Sequence, residues 1–188
     1  MNLVISCGDL PYYYLEYVLD NLGVPLFFVH GNHDPEVEIS SQGEKSYPWG
    51  ARNMHRKFRM MDGFIFLGFE GSVHYSDARY QYPQWEVWLQ VVGKIPRLLW
   101  NKLVHGRYLD VLITHSPAFQ VGDNSDPAHV GFKAYRWLIQ TFKPRYHFHG
   151  HIHIYDHINF SPIQFKETIV VNACPYRVLD ITQGDPQG

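Results

Sequence analysis

Pro25-Leu-Phe-Phe-Val-His-Gly-Asn-His-Asp34 reads as a short buried strand that stops at a glycine and then presents a carboxamide, an imidazole and a carboxylate. Three other segments end the same way. Residues 3–7 run into Gly8-Asp9, residues 109–115 into Thr114-His115-Ser116-Pro117, and residues 145–149 into Gly150-His151-Ile152-His153. Apolar runs of this length, without polar alternation, are the mark of strands covered on both faces. Polar residues at the carboxyl ends of such strands line the crevice where open α/β sheets bind ligands. Further strands are expected at 64–69, 154–160 and 168–172. Helical patterns fall between them at 12–21, at 83–104 (divided near Gly93 and Pro96), and at 131–142 after the turn at Asp126-Pro127. The fold class expected is α/β, with a second, more antiparallel sheet in the strand-rich C-terminal part. Residues 35–62, with Pro35, Ser40, Ser41, Gly43, Pro48 and Gly50, read as a long irregular loop beside a site.

A chain of 188 residues fits one domain, 1–188, with one active or binding centre. With 45% hydrophobic and 16% aromatic residues it has the material for a sizeable core. Sixteen basic and 18 acidic residues leave a net charge of −2, so neither non-specific nucleic-acid binding nor a membrane partner is expected. No apolar stretch is long enough to span a bilayer, and no signal peptide is visible, which points to a cytoplasmic protein. Two cysteines, Cys7 and Cys174, cannot make a disulfide scaffold and read as reduced thiols. The 12 histidines are the unusual feature. Imidazole is the commonest metal ligand and the side chain that titrates near neutrality.

Each strand end alone is an ordinary turn or a satisfied core histidine. Together they assemble carboxylate oxygen, carboxamide oxygen and imidazole nitrogen. That donor set suits Mn, Fe or Zn rather than calcium or a thiolate-seeking ion. Such ions favour hydrolysis, and a carboxylate such as Asp9 can bridge a pair of them. Glycines at 8, 31 and 150 permit the tight turns that bring separate strand ends to one point.

Gly8-Asp9, Gly31-Asn-His-Asp34, Thr114-His115 and Gly150-His-Ile-His153 resemble, in order and spacing, the motifs of the calcineurin-like metallophosphoesterases. The resemblance implies a layered β-sandwich of two mixed sheets flanked by helices, and a metal-dependent hydrolase acting on a phosphomonoester or phosphodiester. It makes Asp9 the bridging carboxylate, lets Asn32, His115 and His151 complete one site, and gives His153 to the other. His33 would protonate the leaving oxygen, with Asp34 orienting its imidazole. The family's opening D-x-H would precede Gly8-Asp9 and is not in this sequence. Its opening strand is therefore expected to be missing, and five of the seven usual ligands remain. Two ions are implied by the family and one complete site by these residues. The alternatives are a non-catalytic scaffold or interaction protein on the same fold, or an N-terminally truncated, metal-deficient enzyme.

Other features read more plainly. His147 and His149 share the period-two face of His151 and His153 and are expected to be structural or to orient ligands. His151-Ile-His-Ile-Tyr-Asp-His157 is one residue too long for the H-x-H-x-D-H pattern of metallo-β-lactamase-like hydrolases. The cluster Arg52, His55, Arg56, Lys57 and Arg59 reads as a solvated face, and Asp123, Asp126 and His129 as candidates to line the pocket. Tyr12, Tyr13, Tyr14, Trp85, Trp88 and Trp100 read as helix packing.

Overall fold

The computed structural model describes residues 2–40, 43–153 and 161–181. The expected strand at 154–160, with Asp156 and His157, lies outside these residues. In chain order the elements begin with β1 (Val4–Ser6), α1 (Tyr12–Leu22), β2 (Leu26–Phe28), the hairpin β3 (Glu38–Ser40) and β4 (Gly43–Lys45), and β5 (Arg52–Asn53). Next come β6 (Phe58–Met61), β7 (Phe64–Phe69), β8 (Ser72–Val73), β9 (Gln81–Tyr82), α2 (Gln84–Val92) and α3 (Ile95–His105). The remainder is β10 (Val111–Thr114), α4 (Lys133–Phe142), β11 (Tyr146–His149), β12 (Ile163–Phe165) and β13 (Thr168–Asn172).

Two sheets carry the fold. One is three-stranded and parallel, in the order β1-β2-β5, with Val4 opposite Leu26 and Phe27 opposite Arg52. The other is six-stranded and mixed, in the order β12-β13-β11-β10-β7-β6, with antiparallel strands only at its two edges. The sheets are cemented by Phe27, Val29, Met54, Phe66, Ile113 and Phe148. Phe27 and Phe66 meet edge to face with centroids 5.4 Å apart. Burying each such ring contributes about 1.5–3 kcal/mol. Helix α1 covers the outer side of the small sheet through Leu15, which packs on Leu26 and Phe28. Helices α2, α3 and α4 cover the large sheet through Val87, Val91, Leu98, Tyr135 and Leu138. The result is the expected layered sandwich, helix on sheet on sheet on helix.

Three expectations change. The C-terminal strands β11 to β13 do not form a second sheet; they extend the large one, because β11 and β13 pair parallel with Phe148 opposite Val171. Residues 35–62 are not a plain loop. They contain the β3–β4 hairpin, the third strand of the small sheet and the edge strand β6. Strands of two to four residues show no legible alternation, which is why pattern alone misses them. The expected break at Gly93 and Pro96 falls at Gly93-Lys94, and Pro96 sits in the first turn of α3, where its missing N–H costs nothing.

Candidate metal centre

The ends of β1, β2, β10 and β11 converge on His115. This side chain is fully buried, and its Nδ1 lies 2.6 Å from the Cys7 carbonyl oxygen. A carbonyl only accepts, so Nδ1 carries the proton and Nε2 turns a lone pair outward. Around Nε2 stand Asn32 Oδ1 at 2.9 Å, His151 Nδ1 at 3.0 Å and Asp9 Oδ2 at 3.5 Å. His151 is fixed by the same logic: its Nε2 is 2.7 Å from the Ala128 carbonyl oxygen, so its Nδ1 is also a bare lone pair. Asn32 is oriented by donating its Nδ2 to the Tyr75 hydroxyl at 3.0 Å, which leaves its oxygen facing His115.

Four acceptors thus face one another with no proton between them. Burial pushes His151 down to about 4 and holds His115 below the usual imidazole range, although Asp9 pulls His115 the other way. Both rings are therefore neutral at pH 7. A carboxylate, a carboxamide oxygen and two imidazole lone pairs at these separations repel unless a cation lies among them. The donor set fits a borderline divalent ion. The nearest donor atoms of Asp9, His115 and His151 lie within 4.8 Å of one another.

The backbone is shaped for this convergence. Gly8, Asp9 and His151 have φ of 92°, 59° and 66°, left-handed values that a non-glycine residue adopts at a cost. A Cβ on Gly31 would stand 2.0 Å from Asp9 Oδ1, and one on Gly8 would stand 2.3 Å from the Gly31 nitrogen. No side chain fits between the two loops. Asp34 is buried and holds them together, accepting the Gly31 N–H at 2.9 Å and the Leu10 N–H at 3.1 Å. Burial raises its carboxyl to about 6, against the Gly31 N–H, which favours the anion. Among the described residues its carboxylate bonds go to backbone rather than to the His33 ring. His33 is exposed, and its own N–H donates to Asp9 Oδ1 at 2.9 Å. His153 is exposed as well, and both lie near enough to His115 to disfavour its protonation.

His147 and His149 are buried. His147 Nε2 is 2.8 Å from Thr114 Oγ1, and His149 Nδ1 is 3.0 Å from the Gly150 carbonyl oxygen. They bond to residues next to the centre, Thr114 beside His115 and Gly150 beside His151, and neither is among its donors. The period-two face ends with β11, because His151 turns left-handed.

Several contributors escape a reading of the sequence. His30, just before Gly31, has Nδ1 2.8 Å from Glu70 Oε2, and Tyr82 donates its hydroxyl to Glu70 Oε1 at 2.7 Å. Burial opposes the Glu70 charge, but the His30 bond and the nearby His55 hold its carboxyl below the usual range. His55 is correspondingly not on a solvated face: its Nε2 is 3.6 Å from Glu70 and its Nδ1 accepts the Glu70 N–H at 3.1 Å. Arg52, Arg56, Lys57 and Arg59 are exposed as expected. His129 has its Nδ1 2.7 Å from Asp126 and its ring 5.1 Å from that of His151, whereas Asp123 accepts the Gly131 N–H at 2.9 Å. Of that trio, His129 is the one whose ring lies against a donor of the centre.

Among the solved structures similar to this chain, two crystal structures show the shared fold. One is 23% identical, with a TM-score of 0.51 over 86% of this chain and 65% of that one, so the chain spans less than two thirds of its length. The other, TT1561 of Thermus thermophilus, is 16% identical, with a TM-score of 0.54 over 86% of this chain and 68% of that one. Comparison with curated proteins gives no match. The family model described as calcineurin-like phosphoesterase matches residues 2–155, a span that contains all four converging strand ends. With motif order, sandwich and donor cluster in agreement, the chain belongs to the calcineurin-like phosphoesterase family.

Proposed function

We propose that the chain hydrolyses a phosphomonoester or phosphodiester with the help of bound divalent metal. The observation that carries this reading is the convergence of Asn32 Oδ1, His151 Nδ1 and Asp9 Oδ2 on the bare Nε2 of His115. In this reading Asp9, Asn32, His115 and His151 hold one ion, while Asp9 and His153 reach toward a second. Bound there, the metal supplies nucleophilic water at neutral pH and neutralises charge on the phosphoryl oxygens.

The protein's own residues do the rest. His33 is exposed at the rim, with its backbone anchored on Asp9, and in this position donates a proton to the departing oxygen. Asp34 serves the reaction indirectly by holding the loops of Asp9 and His33 in register through Leu10 and Gly31. The Cys7 carbonyl just after β1 and the Ala128 carbonyl in the turn at 127–129 fix the tautomers of His115 and His151, so no proton competes for the cluster.

The test is metal analysis of the purified chain together with hydrolysis of an aryl phosphomonoester and an aryl phosphodiester. Bound metal and turnover that chelator abolishes support the proposal. Failure to turn over either ester after loading with Mn, Fe or Zn would assign the fold to a binding role. His33→Ala should keep its metal and lose about 100- to 10,000-fold in kcat, most for esters with poor leaving groups. Equal rates for parent and variant on an alkyl ester would remove His33 from the role of acid.

A further inference from the structure

Helices α2 and α3 bury one face each and turn a second apolar face to solvent. Val87, Val91 and Leu98 are buried in the core. Opposite them, Trp85 and Leu89 of α2 are each 64% exposed, and Leu99, Trp100, Leu103 and Val104 of α3 are 54%, 54%, 79% and 52% exposed. The expectation that Trp85 and Trp100 pack in helix interfaces fails here; only Trp88 packs inward, against Trp137. At about 100° per residue, the four outward residues of α3 occupy an arc of about 140°. Arg97 borders one edge of that arc and Lys102 the other, and both are exposed.

Charge is equally lopsided. Between Val87 and Leu109 the sequence has four lysines or arginines and no carboxylate. Arg107 is paired with Asp110, which leaves Lys94, Arg97 and Lys102 to set the local field. The whole-chain charge of −2 conceals this; the carboxylates nearest the face are Glu86 in the first turn of α2 and Asp110, which Arg107 pairs.

We propose that the α2–α3 face binds the surface of an anionic lipid bilayer. An outward apolar arc edged on both sides by long cationic side chains matches a bilayer interface: the arc enters the acyl boundary while the cations stay at headgroup level. Trp85 and Trp100 are the residue type enriched at that depth. A second copy of the chain is a poorer fit, because a two-fold interface sets the same patch against itself and opposes Arg97 and Lys102 with like charges. Among the described residues no helix is long and apolar enough to cross a membrane, so the contact is peripheral.

The test needs no catalytic readout and stands apart from the hydrolase reading. The full chain is floated with vesicles of equal parts phosphatidylglycerol and phosphatidylcholine, and with phosphatidylcholine alone, at low and high salt, while tryptophan emission is followed. Binding to the mixed vesicles should exceed binding to phosphatidylcholine at least about tenfold, fall with salt, and shift the emission to the blue. Arg97→Gln and Lys102→Gln should each weaken it about fivefold. Leu103→Glu, at an exposed position that the fold does not need, should weaken it more than about tenfold. Equal or absent binding to the two vesicle types overturns the proposal. So does light scattering that shows dimers dissolved by Leu103→Glu in a protein that ignores lipid.

Discussion

Replacing His115 by alanine is expected to remove the metal and lower phosphoester hydrolysis by about a thousandfold or more. No other side chain touches so much of the centre: its Nδ1 holds the Cys7 carbonyl at the end of β1, and its Nε2 faces Asn32, His151 and Asp9. The truncation also leaves a buried carbonyl without its donor and a cavity at a fully buried position, which costs about 2–4 kcal/mol. Two readouts separate these losses. Circular dichroism reports whether the sandwich persists, and thermal melts with added Mn or Zn report the ion. At about a thousand times its Kd the ion should stabilise the parent by about 4 kcal/mol and the variant by far less. Equal metal-induced stabilisation of both proteins would show that the cluster around Nε2 is not where the ion binds.

Acid should unfold this protein unusually early. Burial pushes His55 and His149 down to about 4 and His147 well below its ordinary value. A histidine whose folded pKa is depressed takes its proton more readily when unfolded. Its contribution is therefore complete above the unfolded value of about 6.5 and is lost as pH falls toward the folded value. Each such group removes up to about 1.4 kcal/mol per pH unit once the unfolded imidazole is protonated, so the three together withdraw several kcal/mol between pH 6.5 and 5. Asp34 runs the other way. Raised to about 6, it gains its proton first in the folded state and returns a smaller part of that loss by pH 5. The net loss is a large fraction of the whole stability of an ordinary domain, which is about 5–15 kcal/mol. Urea titrations at pH 6.5 and 5 measure it. In His147→Gln the slope should be shallower by one proton, and identical slopes for parent and variant would refute the assignment.

How much of this was legible in the sequence depends on the range of the interaction that decides each feature. Gly31-Asn32-His33-Asp34 and Gly150-His151 are local: strand, glycine and donors are adjacent, so their convergence follows from motif order once the family resemblance is seen. The tautomers of His115 and His151 are not local. They are set by the carbonyls of Cys7 and Ala128, 108 and 23 residues away, and nothing in the residue types at 7 or 128 announces this. His30 looks like any strand residue until Glu70 is brought to it across 40 residues. The exposed tryptophans fail for a different reason. Apolar composition in α2 and α3 predicts helices correctly, but both have apolar residues on two faces, and only packing against the large sheet decides which face is inside.

Asp34 carries no metal donor in this scheme, yet its two oxygens bridge the loops after β1 and β2. The Asp9 and Asn32 loops are latched as one mechanical unit, so displacement of either carries the other with it. Affinity at the centre can consequently be retuned from position 34, by lengthening or neutralising a single latch, while all the atoms that would touch the ion stay chemically the same. In the metal-binding reading proposed above, substitution at position 34 would act on the centre through loop geometry and leave its donor motifs intact.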